Sequence, residues 1–163
     1  MRHLFIVTLL LFSPFISAQN TPLVTIGWIE PVRILPEKFD IQAKIDTGAD
    51  NSSLDVTRWE VFKKDNKEWV RFEAINNQND TITLERPLQG HSRIKEKSTG
   101  SVKRPYINLW LCLGERPVLA KVNLSYRKKF KYRMLIGRNI LKGNFLVNSA
   151  TTFTQSSKCS TFR

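Results

Sequence analysis

This chain of 163 residues has few of the residues that build metal, redox and nucleotide sites. It contains two cysteines and two histidines, one of them His3 near the N-terminus. No His-Glu-x-x-His pattern is present, and the other histidine, His91, makes a poor zinc ligand set with two distant cysteines. The sequence also lacks a glycine-rich phosphate loop with Lys and Ser or Thr. It therefore predicts no metal and no other cofactor.

Acidic residues are also scarce. Lys and Arg number 26 against 14 Asp and Glu, which gives a formal net charge of +12 at pH 7. Such a surface favours anionic partners, and anionic cell-envelope polymers could bind the densest basic run at residues 127–133. The basic residues are otherwise scattered and are not interleaved with aromatics in a recognised module. Specific nucleic-acid binding is therefore not predicted.

No apolar run reaches the roughly 20 residues that a membrane-spanning helix needs. The main apolar run, residues 4–12, follows Arg2 and precedes Pro14 and the small residues Ser17 and Ala18. This order of basic, apolar and small residues predicts a secretory signal peptide. We therefore expect export across the inner membrane, into a bacterial periplasm.

The signal peptide is expected to span residues 1–18. The rest of the chain has the length and composition of one compact domain, predicted over residues 19–155, with a flexible tail at 156–163. Cys112 and Cys159 could form a disulfide in an exported protein, but the Ser/Thr-rich surroundings of Cys159 weigh against it. The sequence leaves this pairing open.

Alternating apolar residues predict mostly β-strands. Short turn sequences separate two pairs of strands, each of which is predicted to form a hairpin. The only helix predicted is brief, residues 139–142, and ends at Gly143. The fold class is therefore all-β, with a small closed barrel or sandwich favoured over an open sheet. The predicted strands are 39–45, 68–75, 81–84, 106–113 and 118–124.

Asp46-Thr47-Gly48 follows the apolar strand at 39–45. A carboxylate can activate water, a neighbouring hydroxyl can hold the loop, and glycine permits a turn close to a substrate backbone. The same tripeptide can also be purely structural, with Asp accepting backbone N–H bonds and Gly supplying the turn. Taken alone, the tripeptide favours the structural interpretation.

A second apolar segment, Ile136-Gly137-Arg138, changes this balance. Together the two segments resemble the retropepsin-like aspartic peptidases, and in particular the bacterial family that carries the label ATP-dependent zinc protease. Similar family features are Gly27-Trp28-Ile29-Glu30 and Arg104-Pro105. The resemblance implies a small closed barrel of the acid protease type with one short C-terminal helix. Neither zinc nor ATP in the family label finds support in the residues.

The resemblance also implies roles for individual residues. Asp46, Thr47 and Gly48 are expected to be catalytic, and Ala49 and Asp50 to bind substrate. The segment at residues 136–138, named above, is expected to support the site.

Aspartic peptidases use two carboxylates that share one proton, and this chain supplies one. The resemblance implies a homodimer in which two copies of Asp46 meet at the twofold axis and hydrolyse a peptide or protein substrate. The alternative is a catalytically silent domain that binds a peptide or an anionic envelope component.

Two further expectations concern the surroundings of the catalytic loop. Residues 88–102 are a candidate for a mobile covering loop, and an ordinary basic surface loop is the competing interpretation. By resemblance, Asp50 and Arg138 are expected to form an ion pair beside the groove. Partial burial is expected to make this pair stronger than a surface pair.

Overall fold

The computed structural model of the protein describes residues 22–96, 100–126 and 131–159. Within these residues the chain forms eleven β-strands and one short helix. All the predicted strands are confirmed, and both predicted hairpins pair antiparallel. The strands are β1 (Val24–Gly27), β2 (Ile29–Leu35), β3 (Phe39–Ile45), β4 (Ser52–Lys64), β5 (Lys67–Ile75), β6 (Thr81–Pro87), β7 (Gly90–Glu96), β8 (Gly100–Leu113), β9 (Arg116–Ser125), β10 (Met134–Ile136) and β11 (Phe145–Asn148).

Six of the strands close into a barrel. The hydrogen-bonded order is β10, β3, β2, β8, β9 and β4, and β4 pairs back with β10. Strand β10 lies parallel to β3 on one side and antiparallel to β4 on the other. Because the sheet closes on itself, β10 is paired along both edges and the barrel has no free edge at this strand. The predicted closed all-β barrel is confirmed.

The barrel interior is filled by the apolar positions of each strand. In β3, for example, Ile41, Ala43 and Ile45 are buried, while Gln42 between them is half-buried and Lys44 is exposed. This period of two is the pattern that the sequence showed, because successive side chains of a strand point to opposite faces. The alternation delivers Asp46 to the barrel surface at the end of β3.

Two arms extend beyond the barrel. Strand β4 continues past a register shift between Val56 and Arg58 and carries the arm formed by β4, β5 and β6. The first half of β8 pairs only with β7 and forms the second arm. Residues 88–102, the predicted covering loop, fall mostly on this β7–β8 hairpin, and residues 97–99 at its turn lie outside the described residues.

The chain after β11 returns along the N-terminal strands. Glu30 is fully buried, and its carboxylate accepts hydrogen bonds from the backbone N–H groups of Gly27, Thr154 and Gln155 at 2.6, 3.0 and 3.1 Å. A buried carboxylate is costly unless such donors compensate it. Glu30 therefore holds the C-terminal segment against β1 and β2.

A disulfide joins Cys112 to Cys159, so the pairing that the sequence left open is present. The backbone N–H of Glu115 donates to the carbonyl of Ser156, and Ser157 is buried. The described part of the predicted tail, residues 156–159, is thus attached to the barrel near the end of β8. The remainder of the tail lies outside the described residues.

The helix, α1, spans Arg138–Leu141 and so begins and ends one residue before its predicted bounds. It buries Ile140 and Leu141. Gly143 follows with a φ of +78°, a conformation that glycine adopts without strain. No helix in the described part of the chain has the length and apolar character needed to cross a membrane. The predicted signal peptide lies outside the described residues.

Candidate active site

Asp46 follows the end of β3, where hydrogen bonds to β10 and to Trp28, between β1 and β2, hold the backbone. Its N–H donates to the carbonyl of Ile136 in β10 at 2.9 Å, and the N–H of Ile45 donates to the carbonyl of Trp28 at 2.9 Å. The Asp46 side chain is only partly buried. The barrel therefore presents a carboxylate to solvent from a rigid position.

The turn after Asp46 is closed by the carboxylate itself. Asp46 Oδ1 accepts the N–H of Gly48 at 3.0 Å, and the Asp46 carbonyl accepts the N–H of Ala49 at 3.2 Å. A Cβ added at Gly48 would lie 3.2 Å from Asp46 Oδ1, so the absent side chain leaves the carboxylate accessible. Thr47 is exposed at the tip of this turn.

Gly137 packs against the chain just after this turn. A Cβ at Gly137 would lie 2.9 Å from the Ala49 carbonyl oxygen and 2.8 Å from the Asn51 carbonyl carbon, both of them backbone atoms. Such contacts are closer than real Cβ atoms make, so the close approach requires glycine. The N–H groups of Arg138 and Asn139 then donate to the carbonyls of Ala49 and Asp50 at 2.8 and 3.2 Å. The structure thus brings the two predicted segments together.

A polar link behind the turn, which the sequence analysis missed, joins the buried Ser52 to the exposed Asn139. Ser52 is fully buried, its Oγ accepts the N–H of Gly137 at 3.0 Å, and it donates to Asn139 Oδ1 at 2.9 Å. Asn139 Oδ1 also accepts the N–H of Ser52 at 2.9 Å, and Asn139 Nδ2 donates to the carbonyl of Lys121 at 2.8 Å. The sequence could not reveal this hydrogen-bonded contact, because the two residues are 87 positions apart.

The expected ion pair between Arg138 and Asp50 is present, but the expectation of partial burial is wrong. Arg138 Nη2 donates to Asp50 Oδ1, and the two side chains are 50% and 80% exposed. Arg138 Nη1 also donates to the carbonyl of Thr47 at 2.8 Å. Because α1 begins at the barrel surface, Arg138 holds the Asp46 turn from the solvent side and not from the interior.

An aromatic pair borders this region and was also missed. The rings of Trp28 and Tyr132 meet edge to face with their centroids 6.2 Å apart. Trp28 is 38% exposed, and its carbonyl holds Ile45, the residue before Asp46. The resemblance had marked Trp28 as part of a family segment without assigning it a place beside the Asp46 turn.

The described residues contain no group of three or more His, Cys, Asp or Glu side chains placed to hold a metal ion. Asp46 lies beside a turn of backbone N–H groups and an arginine. This arrangement suits general acid-base chemistry by a carboxylate.

A strand-end Asp-Thr-Gly turn, packed against an apolar strand that ends in Gly-Arg on a closed barrel, defines a retropepsin-like site. The chain matches the RimB-like family, described as retropepsin-like aspartic endopeptidase RimB, over residues 25–158. The protein belongs to this family, as the two segments indicated.

Several relatives are larger proteins. The chain is 33% identical over 111 residues to a probable alpha-L-glutamate ligase of Parasynechococcus marenigrum, with 66% of this chain and 24% of the relative covered. A protein of the same name from Shewanella pealeana is 30% identical over 121 residues, with 72% and 26% covered. The match thus spans about a quarter of each relative's length.

A solved structure has a similar fold. The crystal structure of a protein of unknown function from Legionella pneumophila superposes with a TM-score of 0.71 at 30% sequence identity. The match covers 83% of this chain and 98% of that chain. The shared fold therefore extends over nearly the whole of that chain.

Proposed function

We propose that the protein is an aspartic endopeptidase whose active form is a homodimer with Asp46 of both subunits at one shared site. The observation that carries this proposal is the geometry of the turn. The Asp46 backbone is fixed by β10, and its carboxylate is accessible and held by the Gly48 N–H. These are the features that a carboxylate needs to activate water at a defined position.

The reaction requires two carboxylates that share one proton, since like charges so close together cannot both ionise. The ionised Asp46 accepts a proton from water as the water oxygen attacks the carbonyl carbon of the scissile bond. The protonated Asp46 of the second subunit donates its proton to the carbonyl oxygen. Collapse of the tetrahedral intermediate then breaks the C–N bond: the leaving nitrogen takes the proton that the first Asp46 accepted from water, and a hydroxyl of the intermediate returns a proton to the second Asp46.

Thr47 supports the dimer proposal. Its side chain is exposed, and its hydroxyl makes no hydrogen bond to another residue in the described parts of this subunit. In a symmetric dimer each hydroxyl can bond across the twofold axis and join the two turns. An isolated subunit has one Asp46 and therefore half of the catalytic pair.

The substrate proposed is a peptide that contains glutamate. Two observations support this choice: the relatives named above are called probable alpha-L-glutamate ligases, and this chain carries a formal net charge of +12. A basic protein attracts an acidic peptide through long-range electrostatics, so cleavage of such a peptide should slow as salt is added.

Export to the periplasm remains a proposal. The N-terminal sequence supports it, as does the disulfide between Cys112 and Cys159, because such bonds persist in oxidising compartments. Detection of the mature chain in a periplasmic fraction, with its N-terminus near Gln19, would test this location.

Asp46→Asn is the direct test of the activity. The change is nearly isosteric and removes the ionisable group, so we expect peptide cleavage to be abolished while the fold and the dimer are retained. The matched control is Asp65→Asn in the β4–β5 turn, where the φ of +51° also suits Asn. Cleavage of glutamate-containing and mixed peptides is measured by mass spectrometry at acidic and neutral pH.

The outcomes separate the two functions under consideration. Turnover by pure Asp46→Asn protein would refute the aspartic mechanism, and loss of turnover on adding a chelator would point to a metal. Peptide binding without turnover in the unchanged protein would favour the catalytically silent binding domain. Sedimentation velocity on the same samples shows whether a dimer is present when cleavage is measured.

A further inference from the structure

A cleft separates the two arms. Strand β8 pairs with β9 only as far as Tyr106, which lies opposite Asn123, and its earlier residues turn away to pair with β7. Strand β9 continues to Ser125 and stays paired with β4, opposite Asp55. The divergence opens a space of about 330 Å³ between the arms, at the lower end of the range for ligand sites.

The walls of this cleft are mainly apolar and aromatic. Trp59 of the β4 arm, Pro105 of β8 and Leu124 of β9 contribute, and Tyr126, which is 56% exposed, stands at the opening. Lys103 and Arg104 also line the cleft from the β8 arm. Lys103 is exposed, and Arg104 is half-buried and already makes a contact within the protein. Surfaces of this composition bind aromatic side chains, because stacking and cation–π contacts add to the burial of apolar area.

Ser125 places at the cleft a buried hydroxyl that has no partner in the described part of the chain. It is 3% exposed and lines the cleft, and its Oγ has no hydrogen-bond partner among the described residues. A buried hydroxyl without a partner costs about 1–3 kcal/mol, so such groups are uncommon unless they serve another purpose. The neighbouring Asn123 Oδ1 is buried without a partner as well.

We propose that this cleft binds an extended polypeptide through a tyrosine side chain whose phenol reaches Ser125. The ring is placed against Trp59 and Tyr126 at the opening of the cleft, and the phenol supplies the missing partner for the Ser125 hydroxyl. A carboxylate side chain fits less well, because its charge would have to leave water to reach a buried hydroxyl, while the Lys103 charge stays in solvent and Arg104 is already engaged in a contact within the protein. The buried end of the cleft therefore selects a neutral hydroxyl.

The cleft is distinct from the catalytic turn. Ser125 pairs with Asp55, and Asp55 lies three residues along β4 from Ser52, which contacts Gly137. At about 3.3 Å per residue, this places the cleft roughly 10 Å along the strand from the catalytic support. The inference needs no assumption about catalysis and is tested by binding alone.

The test uses the full mature chain carrying Asp46→Asn, so that no probe is cleaved. Three capped pentapeptides with Tyr, Phe or Glu between glycines are titrated, and two-dimensional amide NMR locates the shifts. We expect the Tyr peptide to bind about 2–12-fold tighter than the Phe peptide, the range for one neutral hydrogen bond. The largest shifts should fall on Leu124, Ser125 and the Trp59 indole N–H.

Ser125→Ala supplies the critical comparison. It should abolish the preference for Tyr over Phe without changing the Phe affinity, because only the hydroxyl is removed. Its midpoint of unfolding should be unchanged or higher, since the hydroxyl has no partner to lose. The matched control is Ser101→Ala on the exposed surface of the same β8 arm, which should keep the Tyr preference.

Four results would overturn the proposal. These are equal binding of the Tyr and Phe peptides, preference for the Glu peptide, shifts confined to the Asp46 turn, and a lower midpoint of unfolding for Ser125→Ala. Sedimentation velocity on the Trp59→Ala variant tests the other possible occupant of the cleft, a second copy of the chain. Loss of a dimer in that variant would assign the cleft to self-association and would also refute the peptide proposal.

Discussion

The ion pair between Asp50 and Arg138 yields a prediction whose size follows from its exposure. A double-mutant cycle with Asp50→Asn and Arg138→Gln should give a coupling free energy of about 0–1 kcal/mol, the range for surface pairs. The side chains are 80% and 50% exposed in the single subunit, so the larger cost of breaking a buried pair does not apply.

The two single substitutions should differ in cost. Arg138 makes a second hydrogen bond, from Nη1 to the carbonyl of Thr47 at 2.8 Å, and Asp50→Asn leaves that bond intact. Arg138→Gln should therefore lower the free energy of unfolding by about 1.5 kcal/mol more than Asp50→Asn does, the low end of the range for a hydrogen bond to a charged group.

The assay is urea unfolding of the four proteins at dilution sufficient to keep the chain monomeric. Repeating the cycle at about 1 M NaCl, where the Debye length falls to about 3 Å, should remove most of the coupling. A coupling of 3 kcal/mol or more in the monomer would refute the exposed geometry. Coupling that rises only at high protein concentration would instead show that dimerisation buries the pair.

Three further predictions concern other parts of the fold. Thr47→Ala should weaken the dimer by roughly one to two decades, since two symmetric hydrogen bonds of about 0.5–1.5 kcal/mol are lost; an unchanged sedimentation profile across concentrations would contradict this. Ser52→Ala should lower the free energy of unfolding by about 2–3 kcal/mol, because the buried N–H of Gly137 loses its acceptor, and a loss under 0.5 kcal/mol by urea unfolding would refute that role. Replacing Cys112 and Cys159 together by Ser should cost up to about 4 kcal/mol, as expected for a sequence separation of 47 residues, and equal unfolding midpoints with and without reductant would argue that the disulfide is absent in solution.

The sequence by itself determined the fold class and the centre of the site. Alternation at residues 39–45 predicted the strand that delivers Asp46, because the period of two is a local property of the backbone. Gly48 and Gly137 stood out because each follows an apolar strand in a family-like segment. The structure brings both segments together and shows why residue 137 is glycine. A Cβ at this position would clash with the backbone of the chain that follows the Asp46 turn.

Only the tertiary structure decided what depends on distant contacts. The length of β4 and the position of the two arms depend on where strands leave the barrel. This happens near Tyr106 in β8 and after Val56 in β4. The exposure of Arg138 follows from where α1 meets the barrel surface. The hydrogen bonds of Ser52 with Asn139 and of Glu30 with Thr154 join residues 87 and 124 positions apart. A polar residue in a sequence does not show whether it will be buried or what it will bond, because burial and partners are set when the barrel closes.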